Sequence, residues 1–70
     1  MVERVFTFGF GHVHPVTGES LGGCYIVVRG ADEADCREQM RLKFGNRWSM
    51  EYRSRDDAGV YEFNLQEILG

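Results

Sequence analysis

The fold turns on one continuous stretch, Cys24-Tyr25-Ile26-Val27-Val28-Arg29-Gly30-Ala31-Asp32-Glu33-Ala34-Asp35-Cys36-Arg37-Glu38-Gln39-Met40-Arg41-Leu42-Lys43-Phe44-Gly45, in which the side-chain period changes from two residues to about 3.6. Before Gly30 the β-branched run of Ile26, Val27 and Val28 suits an extended strand, because branched side chains pack well on a pleated surface. After it, Asp32 can cap a helix, Glu33 and Asp35 place negative charge in its first turn, and Lys43 places positive charge in its last. The Gly45-Asn46 pair then supplies a left-handed stop. The spacing predicts a helix from Glu33 to Phe44 that buries Cys36, Met40 and Phe44, flanked by Ala31, Ala34 and Leu42. Arg37, Glu38 and Arg41 should remain in water.

Upstream, residues 2–10 alternate, with Val2, Phe6, Phe8 and Phe10 on one side and Glu3, Val5, Thr7 and Gly9 on the other, which predicts a first strand. Residues 11–23 are rich in turn formers and read as a long hairpin loop to an antiparallel second strand over residues 24–29. Downstream, Trp48, Met50 and Tyr52 alternate with Ser49, Glu51 and Arg53, predicting a third strand. Residues 54–59 read as a turn, and Tyr61, Phe63 and Leu65 alternate in a fourth strand before a short tail of Ile68, Leu69 and Gly70. The expected fold class is α+β: a single small domain over residues 1–70, in the order ββαββ, with a four-stranded antiparallel sheet and one helix on one face.

Placing the aromatic side of every strand inward gives an expected core of Phe6, Phe8, Phe10, Ile26, Val28, Met40, Phe44, Trp48, Met50, Tyr52, Tyr61, Phe63 and Leu65. The opposite sheet face would then expose Val5, Thr7, Tyr25, Val27, Ser49, Glu51, Glu62 and Asn64. Val5, Tyr25 and Val27 would form an apolar patch suited to a partner interface or a homodimer.

Composition narrows the function classes. With 43% hydrophobic and 13% aromatic residues the chain can build a core that disordered chains lack. Eight Lys and Arg against eleven Asp and Glu leave a net charge of −3, which argues against general nucleic-acid binding. No run is long and apolar enough for a membrane span, and the start at Val2-Glu3-Arg4 has no signal-peptide pattern, so a cytoplasmic location is expected without membrane contact. Two cysteines, Cys24 and Cys36, are too few for a disulfide framework and read as buried thiols.

The most unusual stretch is Phe8-Gly9-Phe10-Gly11-His12-Val13-His14-Pro15. His12 and His14 point the same way in an extended chain, as a metal-binding pair would, but a third ligand would have to come from Cys24 or Glu19 and no spacing fixes one. The plainer reading is a pair of solvated loop histidines. Gly9 and Gly11 could let the backbone approach an anion, with Gly22 and Gly23 across the loop, yet the pattern matches neither a P-loop nor a dinucleotide fingerprint, because no helix start follows the glycines. Gly9, Gly11, His12 and His14 are therefore the candidate ligand residues. Arg29, Arg47, Arg53 and Arg55 are available as anion clamps, though such residues usually form weak surface pairs. A Cys24 thiol with His12 or His14 as base lacks a third group to orient the base, so no catalytic residues and no cofactor are assigned and the chain reads as a non-enzyme.

Taken together, Phe6-Thr7-Phe8-Gly9-x-Gly11-His12, Tyr25-x-Val27-Val28, the acidic helix ending Met40-x4-Gly45, and Trp48-x3-Tyr52 resemble a group of small uncharacterised proteins encoded in bacteriophage genomes and prophages. The likeness runs from Phe6 to Leu65, and this chain departs from it in a longer first loop carrying His14 and Pro15. The resemblance implies a phage accessory protein that binds a host or anti-phage defence protein stoichiometrically in the host cytoplasm. The alternative it implies is sequestration of a small nucleotide signal.

Overall fold

The computed structural model describes residues 1–9, 11–45 and 47–68. It is an α+β domain with the element order β1 (Val2–Thr7), β2 (Cys24–Gly30), α1 (Glu33–Phe44), β3 (Met50–Tyr52), α2 (Arg55–Ala58) and β4 (Gln66–Glu67). The strands form one sheet in the order β3-β1-β2-β4. The expectations for Phe10, Asn46, Leu69 and Gly70 lie outside the described residues.

The β1–β2 hairpin is antiparallel, in a register running from Val2 opposite Gly30 to Thr7 opposite Tyr25. β3 pairs antiparallel with β1, and β4 pairs parallel with β2. The sheet is therefore mixed rather than wholly antiparallel. After β3 the chain crosses back over β1 and β2 to reach the far edge, which sets the last strand alongside β2 in the same direction.

α1 spans the residues its pattern predicts. The Asp32 carboxylate accepts from the Asp35 N–H at 2.8 Å, and the Asp35 carboxylate reaches back to the N–H of Ala31 at 2.9 Å. Two orphan donors at the helix start are thereby satisfied by two neighbouring acids. Gly30 permits this close junction: a Cβ there would lie 2.6 Å from an Asp35 carboxylate oxygen and 3.1 Å from the Cys36 nitrogen. Cys36, Met40 and Phe44 are buried, as expected, against Phe6, Phe8, Leu21, Ile26 and Val28. Burial first, then the neighbouring Asp35 and Glu51 charges, pushes the Cys36 thiol up, so it behaves as an inert small hydrophobe.

The opposite face of the sheet differs from the sequence reading. Val5, Tyr25, Ala58 and Val60 form a second buried cluster, with Val27, Tyr52 and Leu65 packed at its edge. Val5 is 0% exposed and Tyr25 is buried with it, so the patch expected to be open is covered by the chain itself, with Val27 half-buried at its edge. What covers it is the segment read as a turn and a strand. Ser54 Oγ caps α2 by accepting from the Asp57 N–H at 3.2 Å, and Gly59, at φ 73°, stops it. A second turn follows, closed by Phe63 N–H to Gly59 O and Leu65 N–H to Val60 O and ended by Asn64 at φ 53°. That six-to-one closure over a left-handed residue is the Schellman pattern, and it defeats the apparent alternation. Val60 and Leu65 face inward, while Tyr61 is 74% and Phe63 68% exposed, contrary to their expected core role. The strand expected there is displaced to Gln66–Glu67.

β3 is also shorter than expected, and its faces are reversed. Glu51 lies opposite Phe6 on the α1 side, whereas Met50 and Tyr52 lie opposite Thr7 and Val5 on the α2 side. Met50 is exposed instead of buried, and Tyr52 joins the second cluster. Trp48 precedes the strand and does reach the α1 side, edge-on to Phe6 with ring centroids 4.8 Å apart. Glu51 accepts from Arg4 Nε and Arg37 Nε, each at 2.6 Å, tying β3 to β1 and to α1. Its side chain is 10% exposed. Burial alone would push the Glu51 carboxyl up, but hydrogen bonds from Arg37 and Arg4, then their charges, outweigh it and hold the group below the ordinary carboxylate range.

Two outcomes follow from this packing. Val5→Asp buries an unpaired carboxylate and should cost about 3–5 kcal/mol, whereas Tyr61→Ser should stay within about 0.5 kcal/mol of wild type. Urea unfolding of both variants checks the assignment of faces. Glu51→Gln should lose about 1–3 kcal/mol at neutral pH. Because the folded pKa is depressed, the Glu51 contribution is complete above the unfolded value of about 4.3 and disappears as pH falls through the folded value. The gap between wild type and Glu51→Gln should therefore close on acidification, as read by unfolding midpoints across the acid range.

Candidate functional site

The loop between β1 and β2 is a second, narrower hairpin. Phe8 N–H continues the ladder to Cys24 O, after which Gly9 turns the chain: His12 N–H donates to Gly9 O at 3.2 Å. His12 O then accepts from Leu21 N–H, His14 N–H donates to Glu19 O, and Val13 bridges to Ser20. Leu21, which composition assigned to a polar loop, is buried in the first cluster and anchors the returning arm. Its signal was present as the one large apolar residue between Ser20 and the Gly22-Gly23 pair.

His12 and His14 do share one side of this arm. Both rings pack edge-on against aromatic core residues, His12 with Phe8 at 6.4 Å and His14 with Phe44 at 5.7 Å between centroids. Phe8 and Phe44 are themselves in edge contact at 5.2 Å, so four rings run in a row from the base of the hairpin to the end of α1. Each imidazole also closes a turn through Nδ1. His12 Nδ1 accepts from the Gly9 N–H at 2.9 Å, and His14 Nδ1 accepts from the Val16 and Thr17 N–H groups at 3.1 and 3.3 Å.

This bonding bears on the chemistry read from the sequence. A neutral imidazole that accepts at Nδ1 carries its proton on Nε2, so neither ring offers a lone pair to a metal without giving up its turn. Among the described residues no three His, Cys, Asp or Glu side chains gather as a metal site requires. The Gly9 amide is likewise engaged by His12 and is not directed at an anion. Gly11, at φ 92°, is required by the backbone, and a Cβ there would meet nothing within 4 Å. Cys24 is half-buried against the first cluster. Of the arginines read as anion clamps, Arg29 pairs with Glu3 at 3.2 Å, and Arg55 pairs with Glu67 at 3.3 Å and lies over the Tyr25 ring.

What the hairpin does create is a recess at the carboxyl end of α1. His14, Val16, Lys43 and Phe44 line a cavity of about 310 Å³. Its floor is the buried Phe44, and its rim carries Val16, which is 86% exposed. The tip above it is held internally: Gly18 N–H donates to His14 O at 2.9 Å, and Thr17 Oγ1 accepts from the Glu19 N–H. The recess is mostly apolar, walled by an imidazole and a lysine, under a loop whose amides at Val16, Thr17 and Glu19 are satisfied by the His14 and Thr17 side chains and at Gly18 by a backbone carbonyl. The sequence showed the pieces, but not that residue 16 and residue 44 line one recess. No helix of the described residues is long and apolar enough to cross a membrane.

His14→Phe keeps a ring against Phe44 and removes the Nδ1 acceptor. Amide exchange at Val16 and Thr17 should speed up several-fold, while global stability changes by less than about 1.5 kcal/mol, as read by hydrogen-exchange NMR. Comparison with protein-family models, with curated proteins and with solved structures finds no match for this chain.

Proposed function

We propose that this chain is a non-enzymatic binding protein that engages a partner protein stoichiometrically, seating an apolar side chain of the partner in the recess between the 12–21 hairpin and α1. The observation that carries this reading is the exposed Val16 at the rim of a cavity lined by His14, Lys43 and Phe44. A tip already fixed by His14 and Thr17 loses little conformational freedom on binding, so contact energy is not spent on ordering the loop. The mechanism is occlusion: the domain covers a surface of its target without changing it chemically. The resemblance to bacteriophage and prophage proteins supports a host or defence protein as the target, met in the host cytoplasm. The nucleotide-sequestering alternative rested on Gly9, Gly11 and His12. With the Gly9 amide and His12 Nδ1 bonded to each other, the hairpin tip carries the function better.

A photo-crosslinking amino acid placed at residue 16 tests this directly, with residue 61 as an exposed control on the α2 side of the sheet. Crosslinking in living host cells should yield one defined adduct from residue 16, of a mass equal to one chain plus one target protein, and none from residue 61. Adducts from residue 61 alone, or from neither position, would refute the recess as the binding surface.

A further inference from the structure

Among the described residues, α1 keeps an outer face that is exposed. Ala34, Glu38, Arg41 and Gly45 lie along it at spacings of four, three and four residues, the rhythm of a helix seam that meets another helix. With Arg37 and Trp48 they line a groove of about 320 Å³. Ala34 and Gly45 are exposed, and neither carries bulk that would hold a second helix away.

The order of these side chains is self-complementary. Along the stripe they run small, acidic, basic, small. A second copy laid antiparallel, with its Glu38 opposite Arg41, brings its Arg41 opposite Glu38, its Gly45 opposite Ala34 and its Ala34 opposite Gly45. All four positions are matched by a single register, as an isologous two-fold contact requires. We propose that the chain forms a homodimer by antiparallel packing of α1 against α1 of a second copy. Charge complementarity selects that occupant. Glu38 and Arg41 already pair within one chain, at 2.9 Å from Arg41 Nε, with side chains 51% and 61% exposed. In water such a pair is worth little. Across the seam each guanidinium meets the carboxylate of both copies, closing a ring of four alternating charges. Arg37, at the flank, is occupied by Glu51. The stripe is electrically neutral in a chain of net charge −3, so two copies meet here without the repulsion that their acidic surfaces impose elsewhere.

Charge exchange tests this. The wild-type chain should associate to a dimer in the micromolar-to-millimolar range by sedimentation equilibrium, with a blue shift of emission from Trp48, the single tryptophan. Glu38→Arg and Arg41→Glu should each be monomeric while retaining the wild-type circular dichroism spectrum, since both sites are on the surface. Mixing the two variants should restore a heterodimer and the emission shift, because each reversed charge then faces its complement. A wild-type chain that stays monomeric throughout that range, a dimer that survives both single reversals, or a mixture that fails to associate would each overturn the proposal.

Discussion

Val5 and Phe6 are consecutive residues of β1, their side chains leave the strand on opposite faces, and both are 0% exposed. The rest of the architecture answers to that constraint. Phe6 is covered by α1 through Met40, Phe44 and Cys36, with Trp48 edge-on beside it. Val5 needs a second cover, and among the described residues no second long helix supplies it. Two single turns serve instead, each with its own left-handed stop, at Gly59 and Asn64, and together they bring Ala58, Val60 and Leu65 over Val5 and Tyr25. A sheet with one covered face becomes a three-layer arrangement with very short elements on one side.

Such a thin structure needs its edges tied, and the ties are ionic. On the α1 side Glu51 joins β3 to β1 and α1 through Arg4 and Arg37. On the α2 side Tyr25 donates its hydroxyl to Glu67, which also meets Arg55, so that β4 and α2 are held to β2. Both edge strands are only two or three residues long, too short for backbone pairing alone to hold them. The depressed pKa of Glu51 is the trace of the first tie: a largely buried carboxylate between two guanidiniums is stabilised only while ionised.

The parts of the fold legible in the sequence are those where one signal acts alone. α1 carries a cap, a charge gradient, a four-residue apolar spacing and a terminal glycine that all agree, β1 lies in the stretch read as alternating, and β2 carries a β-branched run. After residue 47 the signals compete. Tyr61, Phe63 and Leu65 alternate as a strand would, yet Gly59 and Asn64 bracket them with left-handed backbone, and over five residues the turn prevails. The Ser54-x-x-Asp57 cap followed by Gly59 was the readable sign of α2. The reversal of β3 had no local sign. It follows from pairing Phe6 with Glu51, a contact between residues 45 positions apart that ranks an ion-paired carboxylate above an aromatic side chain on the core side. Of the candidate site, the histidines were visible as an unusual pair, and their common direction followed from spacing. Their roles did not, because the partners are Phe8 and Phe44, one on each side of the hairpin and the helix.

The recess and the stripe draw on different parts of one helix: the recess uses the carboxyl end, at Lys43 and Phe44, and the stripe uses the outer face from Ala34 to Gly45. An antiparallel pair of helices sets its two carboxyl ends at opposite extremes, so a dimer of this kind carries its two hairpin tips apart, facing away from each other. Occupying one recess would then leave the other open, and a dimer would take two target molecules without contact between them. Such an arrangement would separate assembly from recognition. Association through the stripe would change the number of recesses held on one particle, and on a multimeric target it would raise the effective concentration of the second recess once the first is filled. It would leave the chemistry of each recess as His14, Val16, Lys43 and Phe44 make it.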